Sequence, residues 1–318
     1  MISTFIKAAE VWVPSDDGHL LEFGSGTFGS ARQLATISKM MCFGRGEGLP
    51  GRAWEGGRPI LLNTLEDPYF RRATAARAAG LSCAVALPFF QSGKVTAVLV
   101  IFCSHSDEAA AAMELWHNNE YVATDMRLVG GAYGPQGATF ESVSQETSLP
   151  RGAGLPGQAW RRGESIFMDD LSARQYHFVR AEQVAAAGLK RGLAIPMESL
   201  RAADHHVVTF LVGEQLPLAK RIERWVPNEE KTSLNCVFAY NEQLGSVVQT
   251  NAVPLSTPLL KDGSLATALA RGMPVINIQP GEEPGAPGIT STGIEASALI
   301  AIPVSSEGEV VELLVMYL

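Results

Sequence analysis

The sequence predicts an α/β (α+β) chain made of three tandem copies of one unit of about a hundred residues, and three recurring landmarks predict it. The first is Glu10-Val-Trp12-Val-Pro-Ser-Asp-Asp17. It is echoed by Glu223-Arg-Trp225-Val-Pro-Asn-Glu-Glu230 and, more faintly, by Glu114-Leu-Trp116-His-Asn-Asn119, so that the tryptophans stand 104 and 109 residues apart. The second is Gly48-Leu-Pro-Gly-Arg-Ala-Trp54, matched by Gly154-Leu-Pro-Gly-Gln-Ala-Trp160 and decayed to Gly263-Ser-Leu-Ala-Thr-Ala-Leu269. The third is Ala79-Gly-Leu-Ser-Cys-Ala-Val-Ala-Leu-Pro88, then Ala187-Gly-Leu-Lys-Arg-Gly-Leu-Ala-Ile-Pro196, then Gly293-Ile-Glu-Ala-Ser-Ala-Leu-Ile-Ala-Ile-Pro303. Order and spacing are kept throughout. The copies occupy residues 1–106, 107–215 and 216–318, the last degenerate.

The period sets the architecture. Solenoid repeats of ~20–50 residues bury a core only against their neighbours. A unit twice that length can own its core, so the copies are expected as beads on a string. Each bead opens with a strand (residues 8–14), a turn at Asp16-Asp-Gly18 and a second strand (residues 20–23). The Leu-Pro-Gly-x-Ala-Trp element predicts a helix start, because proline suits a first turn whose N–H has no partner. There Gly51 and Ala53 permit close approach to a sheet, and Gly56-Gly57 supplies the stop. A short middle strand follows, at residues 59–62, 166–168 and 274–276. Next come Ala/Arg-rich helices at 70–79 and 179–187 in the first two copies, replaced in the third by the turn-prone Pro280-Gly-Glu-Glu-Pro-Gly-Ala-Pro-Gly288. Two apolar strands around a glycine turn close each unit, with the continuous character of buried strands. The linker at 104–113 carries a Ser/Asp-led alanine run that predicts a short helix.

This order of elements, with the signature at residues 48–59 and 154–166, resembles the GAF domain, a PAS-related sensory fold. The resemblance implies a central antiparallel sheet of five to six strands flanked by helices. A small molecule is often held between that sheet and the segments after the short middle strand. The family usually brackets its sheet with long helices that pair into dimers. Here the first strand is expected near the start of the sequence and the last near its end, so that helical dimer is not expected.

Composition narrows the function. A net charge of -8, with basic residues only in pairs such as Arg71-Arg72, Arg161-Arg162 and Lys190-Arg191, excludes a nucleic-acid partner. No apolar run approaches the ~20 residues that span a bilayer, and the first residues lack a signal pattern, so the expectation is a cytoplasmic protein without a membrane partner. Cys42, Cys83, Cys103 and Cys236 form neither a disulfide framework nor a zinc pattern. No metal site and no identifiable cofactor are expected.

The candidate ligand residues are the aromatic and polar groups around the middle strand: Trp54, Asn63, Tyr69, Phe70 and Cys83 in the first copy, Trp160, Asp169, Tyr176, His177 and Phe178 in the second. Arg71 and Arg180 accompany these clusters. Aromatics with a few fixed polar groups suit a small-molecule pocket; the competing reading is that they cap turns and close the core. His205 and His206 are neighbours on a strand and so point to opposite faces, which disfavours joint chelation. The function expected is a non-catalytic sensory or regulatory protein that binds a small molecule and signals through an effector protein in trans. The alternative is a structural or protein-interaction module with filled cores. A minor alternative is a thiol reductase similar to free methionine sulfoxide reductases, although Pro50 and Pro156 stand where those enzymes carry their loop cysteine.

Overall fold

The computed structural model describes residues 3–135, 137–173, 178–242, 245–246, 256–259, 263–280 and 296–318. The first unit runs β1 (Ile6–Pro14), β2 (Leu21–Thr27), α1 (Arg32–Ser38), β3 (Cys42–Phe43), α2 (Gly48–Gly56), β4 (Ile60–Leu62), α3 (Ala73–Ala78), β5 (Cys83–Gln91) and β6 (Lys94–Cys103). The second runs β7 (Ala111–Asn119), β8 (Asp125–Tyr133), α4 (Ala138–Glu146), β9 (Ser148–Pro150), α5 (Gly154–Arg162), β10 (Ile166–Met168), α6 (Ala181–Ala186), β11 (Leu189–Met197) and β12 (Asp204–Gly213). The third has β13 (Arg221–Pro227), β14 (Ser233–Asn241), β15 (Gly245–Ser246), β16 (Ser256–Pro258), α7 (Ser264–Arg271), β17 (Val275–Asn277), β18 (Leu299–Ser306) and β19 (Glu309–Tyr317).

Each unit is one antiparallel sheet of the same topology. The strand orders are β3-β2-β1-β6-β5-β4, β9-β8-β7-β12-β11-β10 and β15-β14-β13-β19-β18-β17, with β16 paired to β14. The three landmark tryptophans occupy equivalent first strands, and each strand carries a register shift at or beside its tryptophan: Val11/Trp12, Leu115/Trp116, Arg224/Trp225. The alanine run of the first linker is not helical. Ala111 and Ala112 begin β7, paired to Val212 and Leu211 of β12, because strand pairing on both sides overrides local helix preference. The loop at 281–288 lies outside the described residues.

The Leu-Pro-Gly helices form as expected. Pro50 is the third residue of α2, and the helix ends on Gly57 with φ of 53°. Glycine at 51 allows a close backbone approach, and that approach falls at the edge of the sheet. A Cβ there would lie 2.1 Å from the carbonyl oxygen of Gly44, the residue after β3, and one on Gly157 would lie 2.5 Å from that of Pro150, the last residue of β9, so the close approach is to the edge-strand side of the sheet. In the third unit the signature has decayed, yet α7 still buries Leu265, Ala268 and Leu269 on one face and still ends on a left-handed glycine, Gly272.

Side chains alternate along the central strands, and both faces are buried. One face packs against the unit's own helices: Trp12, Ala84, Ala86, Val98 and Val100 in the first unit, with separate equivalent clusters in the others. The opposite face was expected to be each bead's own concern. Instead Val85, Leu87, Leu99 and Ile101 join Met113, Leu193, Ile195 and Phe210 of the second unit and Ile300, Ile302, Leu314 and Met316 of the third in one continuous core. The units are therefore not beads on a string. They keep three private cores and share a fourth, in which the second face of each sheet is covered by the neighbouring sheets.

The sharing is cyclic. The edge strand β4 packs on β8 of the second unit. On β10, Phe167 lies 5.6 Å and 4.7 Å, between ring centroids, from Phe238 and Tyr240 of β14. Then β17 returns to β1 and β2. The same head-to-tail contact is thus used three times and closes, as a heterologous interface does when its rotation completes a ring. A second set of contacts follows the same circuit. Each helix-ending glycine meets the hairpin between the last two strands of the next unit: Leu200 N–H donates to the Gly57 carbonyl (3.2 Å), Gly163 lies beside Ser306, and Gly272 lies nearest Phe90.

Candidate functional site

The polar centre of each unit lies between sheet and helices, at the place where the resemblance puts a ligand. In the second unit Trp116 donates its Nε1–H to Glu114 Oε2 (3.0 Å). Arg180 grips the same carboxylate with two hydrogen bonds, 2.6 Å to Oε1 and 2.9 Å to Oε2. The Tyr133 hydroxyl (2.9 Å) and Thr209 hydroxyl (3.3 Å) donate as well. Ser144 hydrogen-bonds the guanidinium, which lies 4.9, 4.6 and 5.3 Å from the ring centroids of Trp116, Phe140 and Phe178. Burial pushes the Glu114 carboxyl pKa up, and the Arg180 charge outweighs it, so the group stays below its ordinary value. Burial, followed by the adjacent Glu114 charge, raises Tyr133.

The first unit repeats the arrangement. Glu10 accepts from Trp12 Nε1 (3.0 Å), Ser38 Oγ (2.6 Å) and Arg72 Nη1 (2.5 Å). The Arg72 guanidinium sits within 5.7 Å of the Trp12, Phe43, Phe70 and Phe102 ring centroids, and its Nη2 is buried without a hydrogen-bond partner. The third unit keeps the acid and the indole, with Trp225 Nε1 2.8 Å from Glu223 Oε2 and Tyr317 OH 3.1 Å from the same oxygen. Its arginine is Arg221, two residues before Glu223 on β13 itself.

These arrangements neutralise charge and fill space. A carboxylate offers about four acceptor sites, and Glu114 meets five donor hydrogens from Arg180, Trp116, Tyr133 and Thr209. It has no lone pair left for a reacting group. Among the described residues no set of three or more His, Cys, Asp or Glu is placed to hold a metal, and no helix is long and apolar enough to cross a membrane.

The residues singled out from the sequence scatter around this centre. Trp54 and Phe70 are buried in the private core of the first unit, Trp160 and Phe178 in that of the second. Asn63 and Tyr69 are at the surface, with Arg52 stacked over the Tyr69 ring at 3.2 Å. Asp169 is half-buried. Tyr176 and His177 lie outside the described residues. Cys83 faces the shared core, on the opposite side of the sheet from Trp54 and Phe70, directly across from Cys103 on β6. Hydrogen bonding with Cys103 and then His105 lowers the Cys83 thiol, whereas burial raises that of Cys103. His206 is buried against His117 (ring centroids 4.5 Å) while His205 pairs with Glu120, so the two neighbours do face apart.

The acid–arginine pairs themselves escaped the sequence reading. Glu10, Glu114 and Glu223 were visible only as landmarks. In the first copy the eye falls on Arg71, which is exposed and pairs with Glu47 (2.8 Å), one residue short of the equivalent position. The available signal is the recurrence of Phe70-Arg-Arg72 as Phe178-Val-Arg180.

The GAF domain family model matches residues 4–129, covering the whole first sheet and continuing into β7 and β8. No curated protein matches the chain. Solved structures similar to it include the nlh2 GAF domain of A. Aeolicus in an inactive state, at 23% identity over 32% of this chain and 60% of that one, with a TM-score of 0.26. The Staphylococcus aureus NreA protein mutated in its nitrate binding site is 14% identical over 31% of this chain and 73% of that one (TM-score 0.26). The free methionine-R-sulfoxide reductase of Neisseria meningitidis in complex with its substrate is 15% identical over 32% and 57% (TM-score 0.25). The chain spans less than two thirds of the nlh2 and reductase structures. Residues 4–129 match the GAF domain, and the three equivalent sheets fit three tandem GAF-like units.

Proposed function

We propose that the chain is a non-catalytic regulatory binding module, built of units spanning 1–106, 107–215 and 216–318, that works through its surface and a protein partner in trans. In this reading the interiors of the first two units are packed cores and not ligand chambers. The observation that carries it is the Arg180–Glu114 pair and its Arg72–Glu10 counterpart, seated among aromatic rings where a ligand would lie. A ligand entering there would have to displace a buried ion pair, and breaking such a pair costs about 3–5 kcal/mol.

The absence of catalysis is supported by the saturation of Glu114, and a Cys42–Cys83 thiol couple is opposed by their separation. Cys42 on β3 and Cys83 on β5 are four strand spacings apart, roughly 19 Å. That is far beyond the ~7 Å between Cα atoms that a disulfide tolerates. Native mass spectrometry of the purified protein tests the reading. It predicts no stoichiometric metabolite cross-linkable to Phe70 or Phe178; a retained compound cross-linked to either ring would overturn it.

A further inference from the structure

A cleft of about 610 Å³ opens where the closing hairpins of all three units converge, bounded by Ser92 of the first, Arg201 of the second and Glu307 of the third. Its volume falls in the range of metabolite sites, ~300–1,000 Å³. Four arginines line it: Arg151 from the loop before α5, Arg161 and Arg162 from the last turn of α5, and Arg201 from the hairpin between β11 and β12. Among the described residues none of the four pairs with a carboxylate. Of the three acids on the wall, Glu198 accepts from the Gly308 N–H (2.8 Å), and Asp204 from Asn119 (2.6 Å) and His117 (3.1 Å). Four guanidinium charges thus face three carboxylates, Glu198, Asp204 and Glu307, none of them paired with these arginines, and one positive charge is left over. An arginine in the last helical turn offsets the helix dipole by ~0.3–1 kcal/mol, which accounts for a cation at the end of α5. It does not account for Arg151 and Arg201, which reach the same cleft from two other segments.

We propose that this cleft binds a small polyanion, a molecule bearing two or more phosphate or carboxylate groups, held by the planar forks of these arginines. The occupant would touch hairpins of all three units and so report on closure of the ring. The inference is independent of how the unit interiors are filled.

The test titrates inorganic triphosphate and, separately, citrate into the full chain at low ionic strength, following thermal stability and amide hydrogen exchange. At least one anion should raise the melting temperature, protect residues 92–93 and 305–308, and lose effect as salt is added. The Arg162→Gln/Arg201→Gln variant, changed only at exposed side chains, should melt normally without ligand and bind about tenfold more weakly or worse. Arg127→Gln, on the exposed side of β8, should bind as the parent does. Triphosphate acting alone identifies phosphate as the ligand class, and citrate acting alone identifies carboxylate. No response to either anion, or an equal response in all three proteins, would overturn the proposal.

Discussion

Arg180 and Glu114 stand 66 residues apart in sequence and share two hydrogen bonds in a site almost closed to water. Arg180→Met leaves the carboxylate buried and unpaired, and should lower stability by about 3–5 kcal/mol in chemical denaturation. Pairing it with Glu114→Leu should recover much of that loss, since replacing both members removes the uncompensated charge. A second residue-scale prediction concerns acid. Burial, then the neighbouring His117 charge, pushes His206 down to about 3 from its ordinary 6.5, with Asp204 opposing and Arg58 and His205 adding to the shift. The unfolded chain therefore takes up a proton that the folded one refuses. Stability is fully present above the unfolded value and falls as pH drops below ~6.5, by about 2 kcal/mol at pH 5. Glu114, lowered in the fold, acts in the same direction at more acid pH. His206→Gln should flatten the pH dependence of the melting temperature between 5 and 7; an unchanged slope would reject the assignment. At this scale the sequence was legible only in part. Glu-x-Trp and Phe-x-Arg each recur, but nothing in a linear chain says that the two meet across a sheet.

The helices and strands were largely readable, because each rests on local chemistry. The Leu-Pro-Gly element carries its own first-turn proline and its own stop, and the closing strands announce burial by unbroken apolar runs. The failures came where tertiary contacts override local preference. The alanine run at 109–112 feeds β7, and the Ala/Arg-rich segments predicted as ten- and nine-residue helices are six residues each, Ala73–Ala78 and Ala181–Ala186. Glycine substitutions test the packing of the Leu-Pro-Gly helix. Gly157→Ala puts a methyl group against the Pro150 carbonyl, and a backbone atom cannot swing away, so a loss of about 3 kcal/mol is expected. Gly80→Ala, with φ of +69° but open space around it, should cost only about 1 kcal/mol, from backbone strain alone. Equal costs at the two sites would refute the claim that proximity to the Pro150 carbonyl is what demands glycine at 157.

Three private cores and one shared core make the whole molecule a closed ring within a single chain. Periodicity in the sequence revealed the three units and placed Trp12, Trp116 and Trp225 correctly on equivalent strands. It could not show what covers the second face of each sheet, because an apolar strand looks the same whether a helix or another sheet lies over it. Leu99→Lys, a charge driven into the shared core, should therefore destabilise all three units together, lowering one common melting transition and not only the first of several. The most direct measurement compares residues 1–106 alone with the intact chain by light scattering and thermal unfolding. The fragment would bare Val85, Leu87, Leu99 and Ile101 to water, so the ring predicts self-association or loss of cooperative melting, while the intact chain melts in one transition. A monomeric fragment that unfolds cooperatively at the temperature of the full protein would contradict the shared core.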